Sequence, residues 1–193
     1  MKTVFFDIDT QIDFLYRAGA LYVPGAEHVV PLIAELNRHA SLVISTMCTH
    51  AEDDPEFKIY PHHCVAGTVG QQKPAATLRE KRATIPARVD GVQQLILEKQ
   101  QLDCFSNPYL EPLLAELGAE RYIVYGVVTE ICVKFAAFGL LKTGKRVELV
   151  TDAVRALDEE ASRKMRSEFT AAGGYLTAGA EVMASDVGGL PRI

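Results

Sequence analysis

The sequence predicts a three-layer α/β sandwich, a single domain built around a mostly parallel sheet of roughly six strands. Three observations carry this prediction. Runs such as TVFFDID, RYIVYGV and RVELVTD are apolar nearly throughout, as strands buried on both faces must be, and do not alternate. Helical patterns separate them, giving the strand-helix succession of a sheet covered on both faces by its crossovers. A length of 193 residues, 48% of them hydrophobic, suffices for one substantial core without calling for a second.

The first strand is TVFFDID, ending on Asp9, and a helix follows from about Ala26 to Ala40. Pro31 either opens the regular part of that helix or kinks it. LVISTM is the second strand. Residues 48–88 then hold few periodic signals but contain Pro55, Pro61, Pro74 and Pro86, with three of the five histidines. Irregular chain of this length in a compact domain is usually functional, so 48–88 reads as a long active-site loop. QQLILEK is a further strand, and Asn107-Pro108 is a good helix start, because Asn caps and Pro at the first position loses no hydrogen bond. RYIVYGV, a helix capped by Thr129, strand RVELVTD and a helix from about Asp158 complete the succession. No internal repeat or low-complexity tract interrupts it.

A formal charge of −5 with 20 scattered Lys and Arg argues against a nucleic-acid partner. The densest basic group, Arg79, Lys81 and Arg82, reads as a solvated loop. No segment has the length of a membrane span, so no membrane partner is expected. MKTVFFDID enters a strand almost at once and lacks the features of a signal peptide. Cys48, Cys64, Cys104 and Cys132 have neither CxxC spacing nor the density of a disulfide scaffold, which fits a reducing cytoplasm. No organic cofactor is expected.

Ligands of parallel α/β sheets collect beyond the carboxyl ends of the strands. That rule gathers Asp9, Cys48, His50, Lys99 and Cys132 on one rim. Cys132 lies in GVVTEICVKFAAFGLL, where a strand runs through a turn into a helix. In a first helical turn, unpaired N–H groups and the helix dipole would favour thiolate over thiol and could hold an oxyanion. By itself such a cysteine more often fills a crevice. Asp9, partly desolvated at a strand end, would have its pKa raised toward use as a proton acceptor, and Lys99 would limit that rise while stabilising a thiolate. Taken singly, Asp9 and Lys99 would read as an ion pair or a turn cap.

Four motifs in order are similar to those of one family. FDIDTQIDF resembles the D-x-Q-x-D-F opening of the isochorismatase-like cysteine hydrolases, whose best-known amide-cleaving members are nicotinamidases. YPHHCVAGTVG resembles their W-P-x-H-C-V-x-G-T segment, LEKQQLDCF their lysine segment, and GVVTEICV their nucleophile turn. The resemblance runs from Lys2 to beyond Asp152. It implies an isochorismatase-like, Rossmann-type fold and a catalytic triad of Asp9, Lys99 and Cys132. It also implies a cis bond between Val127 and Val128, and an oxyanion hole made by the N–H groups of Val128 and Cys132.

The same resemblance implies a divalent metal, zinc favoured, at Cys48, His50 and His63, with Cys48 where the family has aspartate. Phe14 and Tyr60 would stack on a flat substrate ring, with Val127 and Ile131 as apolar wall. His62 would face solvent, and His28 and His39 would lie on helix surfaces. The implied activity is thioester-forming hydrolysis of a small carboxamide, nicotinamide to nicotinate and ammonia, by a homo-oligomer. An N-carbamoyl or ureido substrate, or isochorismate, would use the same triad. A thiol-based binding or redox-sensing module is the non-enzymatic alternative.

Overall fold

A computed structural model describes residues 1–87 and 90–185; the last residue of the expected 48–88 loop, Arg88, lies outside them. The chain runs β1 (Thr3–Ile8), α1 (Ile12–Leu15), α2 (Val30–His39), β2 (Val43–Cys48), β3 (Arg82–Thr84), β4 (Gln94–Lys99) and α3 (Leu110–Leu117). It continues through β5 (Arg121–Val127), α4 (Lys134–Leu141), β6 (Arg146–Arg155), α5 (Glu159–Ala171), β7 (Tyr175–Thr177) and α6 (Gly179–Ala184). Seven strands form one sheet in the order β3-β4-β2-β1-β5-β6-β7, and every pairing is parallel. The order turns outward on either side of β1, so the carboxyl ends of β1, β2, β4 and β5 meet at the centre of one edge.

Both faces are covered, which explains the uninterrupted apolar runs. Along β1, Val4, Phe6 and Ile8 pack with Leu114 of α3, Ala137 of α4 and Phe169 of α5. Phe5 points the other way, against Ile33 and Leu36 of α2 and Val182 of α6. No helix among the described residues is long and apolar enough to cross a membrane.

The two edge strands and α6 were not expected. β3 and β7 have three residues each and are largely exposed, so neither leaves an apolar run. The expected helix 26–40 is a 3-10 turn, Ala26–Val29, leading into α2 with Pro31 in its first turn, so Pro31 opens the α-helix and does not kink it. Asn107 does not cap α3 directly: its Oδ1 accepts from Tyr109 N at 2.9 Å, its Nδ2 donates to Glu98 O at 2.7 Å, and the helix begins at Leu110. Thr129 is not an N-cap. Its hydroxyl donates to Arg155 O at 2.9 Å, tying the turn after β5 to the end of β6. Asp158 does cap α5, accepting from Glu160 N and Ala161 N. Arg79 is no solvated loop residue, since its guanidinium donates to the carbonyls of Asn37 and Arg38 and so closes the negative end of α2.

Gly126 sets the closeness of β5 and β1 just ahead of the site. A Cβ there would come 2.1 Å from Ile8 O, and its φ of +119° disfavours any side chain. Opposite it, β6 slips register between the partners of Val124 and Gly126, so the end of β6 bends past the end of β5.

Two buried ion pairs support this frame. Asp7 pairs with Lys73 at 3.1 Å and accepts from Thr10 at 2.6 Å, Ser45 at 3.0 Å and Asn37 at 3.1 Å, which binds loop residue Lys73 to β1. Arg121 holds Glu148 bidentately, both bonds at 2.6 Å, across β5 and β6. Removing one member of a buried pair strands the other charge, so Lys73→Met should lower stability by about 3 kcal/mol and open the 49–81 segment to limited proteolysis. A urea midpoint equal to that of the unaltered protein would refute this. Burial would raise the Glu148 carboxyl, but Arg121 and Arg146 together lower it. Its stabilisation is therefore complete above the unfolded glutamate pKa and is lost as pH falls through the lowered value. Glu148→Gln should cost stability at neutral pH, with the gap to the unaltered protein narrowing in acid, as read by denaturation curves across pH.

Candidate active site

The strand ends bring Asp9, Lys99 and Cys132 together around one buried ammonium. Lys99 closes β4 opposite Cys48 of β2. Its Nζ lies 2.8 Å from Asp9 Oδ2, 3.0 Å from Gln101 O, 3.1 Å from Cys48 Sγ and 3.8 Å from Cys132 Sγ. Burial would lower the Lys99 pKa, but Asp9, Cys132 and Cys48 hold it well above its ordinary value.

Asp9 follows β1 with a left-handed φ of 48°, a conformation Asp tolerates better than most residues. That turn aims its carboxylate back along the sheet edge, where Thr46 Oγ1 donates to Oδ1 at 2.6 Å. Burial raises the Asp9 pKa, as expected, yet Lys99 and hydrogen bonds from Lys99, Thr46 and Cys132 outweigh it and leave the group lowered. The site therefore holds a carboxylate against the Cys132 thiol.

Cys132 lies in a turn of π-helix, Thr129–Val133, where Val133 N reaches Val128 O at 3.1 Å; α4 proper starts only at Lys134. The peptide bond between Val127 and Val128 is cis. The expected lowering of the Cys132 thiol by a helix N-terminus is not what the site does. A hydrogen bond between the two sulfurs, followed by burial, pushes Cys132 up, whereas the same hydrogen bond, with Lys99 assisting, lowers Cys48 to about 6. The shared hydrogen bond thus moves the two thiols in opposite directions, and the shorter contact to the ammonium, 3.1 Å, is that of Cys48.

The remaining residues of the first motif hold this arrangement in place. Gln11 clamps the backbone of Cys48, accepting from its N at 2.7 Å and donating to its O at 2.8 Å, and donates also to Gln71 O at 2.8 Å. Asp13 accepts from Cys64 N at 2.7 Å and from Ala20 N at 2.9 Å. Gly70 makes room for that carboxylate, since a Cβ would lie 2.1 Å from Asp13 Oδ2. Thr49 receives Gln71 Nε2 at 2.9 Å.

Between this clamp and the rim sits a histidine cluster. Ligand atoms of His50, Glu56 and His63 all lie within 4.8 Å of one another. The imidazole of His63 is anchored on Pro61 O at 2.8 Å and that of His50 on Asp54 at 2.9 Å. His50 Nε2 is buried without a hydrogen-bond partner. Burial would lower His50, but Cys48 and Asp54 raise it to about 9, whereas His63 is lowered, first by burial. Cys48, expected with the two histidines, interacts with His50 but lies outside the group of converging ligand atoms, in which Glu56 takes its place. Sequence reading missed Glu56, whose only signal is an acidic residue on the histidine-bearing loop. His62 stacks on Phe57 at 4.2 Å and is exposed, as are His28 and His39.

Phe14, Tyr60, Val127, Val128 and Ile131 line a cavity of about 30 Å³ with Cys48, Cys132, Glu56 and His63. Leu21, Leu102 and Leu157 complete its walls, all three unanticipated because their segments carry no periodic pattern. In this conformation the cavity admits little more than a water, so a ring-bearing molecule enters only as the partly exposed Tyr60, Leu102 and Leu157 move aside.

The fold is shared with proteins of known structure. Over 176 aligned residues the chain is 23% identical to the nicotinamidase of Acinetobacter baylyi, covering 80% of this chain and 82% of that protein. The pyrazinamidase of Pyrococcus horikoshii, solved in complex with zinc, superposes with a TM-score of 0.81 and 26% identity over 92% of this chain and 99% of its own. PnC1 from L. infantum, solved in complex with nicotinate, gives a TM-score of 0.80 and 27% identity over 93% of each. The Isochorismatase domain profile matches residues 3–181, and the chain belongs to that family.

Proposed function

We propose that this protein is a cysteine amidohydrolase that releases ammonia from a small planar carboxamide, nicotinamide first among candidates. The observation that carries this reading is the buried Lys99 ammonium, 2.8 Å from the Asp9 carboxylate and 3.8 Å from the sulfur of Cys132, which lines an apolar cavity. Asp9, kept ionised by Lys99, accepts the Cys132 proton, and the thiolate adds to the amide carbonyl carbon. The N–H groups of Val128 and Cys132 receive the oxyanion, each such donor being worth about 3 kcal/mol in the transition state. Asp9 returns its proton to the nitrogen, ammonia leaves, and a thioester remains. Water, losing its proton to Asp9, then attacks the thioester and restores the thiol.

With the Cys132 thiol raised and the Asp9 carboxyl lowered, the proton transfer that opens this sequence is uphill. The proton stays on sulfur until a substrate occupies the site, and Lys99 compensates the charge once it moves. Phe14 and Tyr60 provide faces for a flat ring, and Ile131 and Val127 exclude water beside the reacting carbon.

His50, Glu56 and His63 fit a divalent ion. Two imidazoles and a carboxylate are a common zinc set, and the unpartnered His50 Nε2 is a buried nitrogen in want of a ligand. Bound there, zinc would supply a Lewis-acidic anchor for a ring nitrogen or a water. This chain's own residues retain the covalent chemistry. Homo-oligomer formation and a cytoplasmic setting belong to the same reading.

Asp9→Asn should lower kcat for ammonia release by about 10²- to 10⁴-fold, and Cys132→Ala should abolish it, with thermal melts confirming that each variant folds. Unchanged turnover by Asp9→Asn on every amide tested would sink the triad. A ureido acid hydrolysed in preference to nicotinamide and pyrazinamide would move the substrate assignment while keeping the mechanism. Glu56→Gln should weaken zinc binding by about tenfold or more in competition with a chromogenic chelator. Equal zinc affinity in that variant would remove Glu56 from the ligand set, and turnover indifferent to chelator would remove the metal from the reaction.

A further inference from the structure

The proposed hydrolysis uses one thiol, yet the site holds two. Cys48 ends β2 and Cys132 sits in the turn after β5, and the same ammonium touches both sulfurs, at 3.1 and 3.8 Å. Both also line the same cavity, so a solute that reaches one reaches the other. The other two cysteines, Cys64 and Cys104, are buried and do not line it. Cys48 is itself held firmly, with Gln11 bonded to its N and O. Cys132 rides on the π-turn that precedes α4. A cation beside two thiols favours thiolate, the form that reacts with peroxides and with sulfenic acids.

We propose that Cys48 is a resolving cysteine: a hydroperoxide entering the substrate cavity oxidises Cys132, and Cys48 closes a reversible Cys48–Cys132 disulfide that switches hydrolysis off. It rests on the reading of Cys132 as the reactive thiol. As Asp9 takes its proton, the Cys132 sulfur attacks the terminal peroxide oxygen, the O–O bond breaks, and the leaving oxygen takes that proton to become an alcohol or water. Cys132 is then a sulfenic acid. The Cys48 thiolate attacks its sulfur, the S–O bond breaks, the departing hydroxide leaves as water, and the S–S bond forms. The two thiols lose two protons and two electrons, and the peroxide gains both electrons. Closing the bond draws the sulfurs to about 2 Å and removes the nucleophile from Lys99 and Asp9.

The test is treatment of the full chain with a small excess of hydrogen peroxide, followed by alkylation under denaturing conditions and peptide mapping. The expected product links the Cys48 and Cys132 peptides, with a mass about 2 Da below that of the two thiols, and reverts on adding dithiothreitol. In Cys48→Ser the same treatment should carry Cys132 on to the sulfinic acid, about 32 Da heavier and refractory to dithiothreitol. An oxidised wild-type protein in which Cys132 bears oxygen while Cys48 still alkylates, or in which Cys48 links to Cys64, overturns the proposal. Mapping needs no substrate, so a failure to hydrolyse any amide would count against the proposed activity and leave the disulfide to be decided by mass. Where an amide is turned over, its hydrolysis should fall and recover in step with the linkage.

Discussion

The structure turns on one buried ammonium. Removing a lysine from water costs several kcal/mol, and a site keeps such a charge only by surrounding it with acceptors. Lys99 finds them on four separate segments: Asp9 beyond β1, Cys48 on β2, Gln101 beyond β4 and Cys132 beyond β5. Because each partner comes from a different strand end, satisfying the cation also sets the strand ends relative to one another. The charge that keeps Asp9 ionised and steadies a thiolate is thus the charge that assembles the rim. Chemistry and architecture share a cause here.

A second layer of interactions serves that rim without touching the ammonium or the two sulfurs. In the first motif, Asp9 faces the thiols, while Gln11 and Asp13 fasten the long loop: Gln11 to Cys48 and Gln71, Asp13 to Cys64 beneath Gly70. Lys73 pins the same loop to β1 through Asp7. With its backbone tied at these points, the loop can present His50, Glu56 and His63 as a cluster although it has almost no regular structure. The division also explains why the two thiols differ. Cys48 is held against Lys99 by a clamped backbone, whereas Cys132 sits in a π-helical turn, and the hydrogen bond between the two sulfurs lowers the first thiol and raises the second.

Asp9, Lys99 and Cys132 were legible because each ends or follows an apolar run, and the rule that parallel strands present their carboxyl ends to ligands puts all three on one edge. The same rule gathered Cys48 and His50. Phe14, Tyr60, Val127 and Ile131 also reached the cavity as expected. Other features left no trace. β3 and β7 are short and exposed, so they carry no periodicity, and Leu21, Leu102 and Leu157 lie in segments with no pattern to read. Arg79 looked like one more surface charge until α2 was seen to end under its guanidinium. The direction of the Asp9 and Cys132 titrations was misjudged for a related reason: burial and helix position can be guessed from a strand end, but the strength of a 2.8 Å ion pair or the presence of a second thiol cannot.

What the sequence alone determined is the part that depends on periodicity and on strand ends: a parallel sheet covered on both faces, and a carboxylate, a lysine and a cysteine on its rim. These follow from short-range pattern, because a strand buried on both faces is apolar along most of its length and the three rim residues stand where such runs end. The tertiary structure decided what depends on residues far apart in the chain meeting in three dimensions. It put Glu56 with the histidines, drew Cys48 toward Lys99 and beside Cys132, and set which thiol holds its proton. Those outcomes rest on a few hydrogen bonds and one ion pair between loops, whose geometry no local pattern encodes.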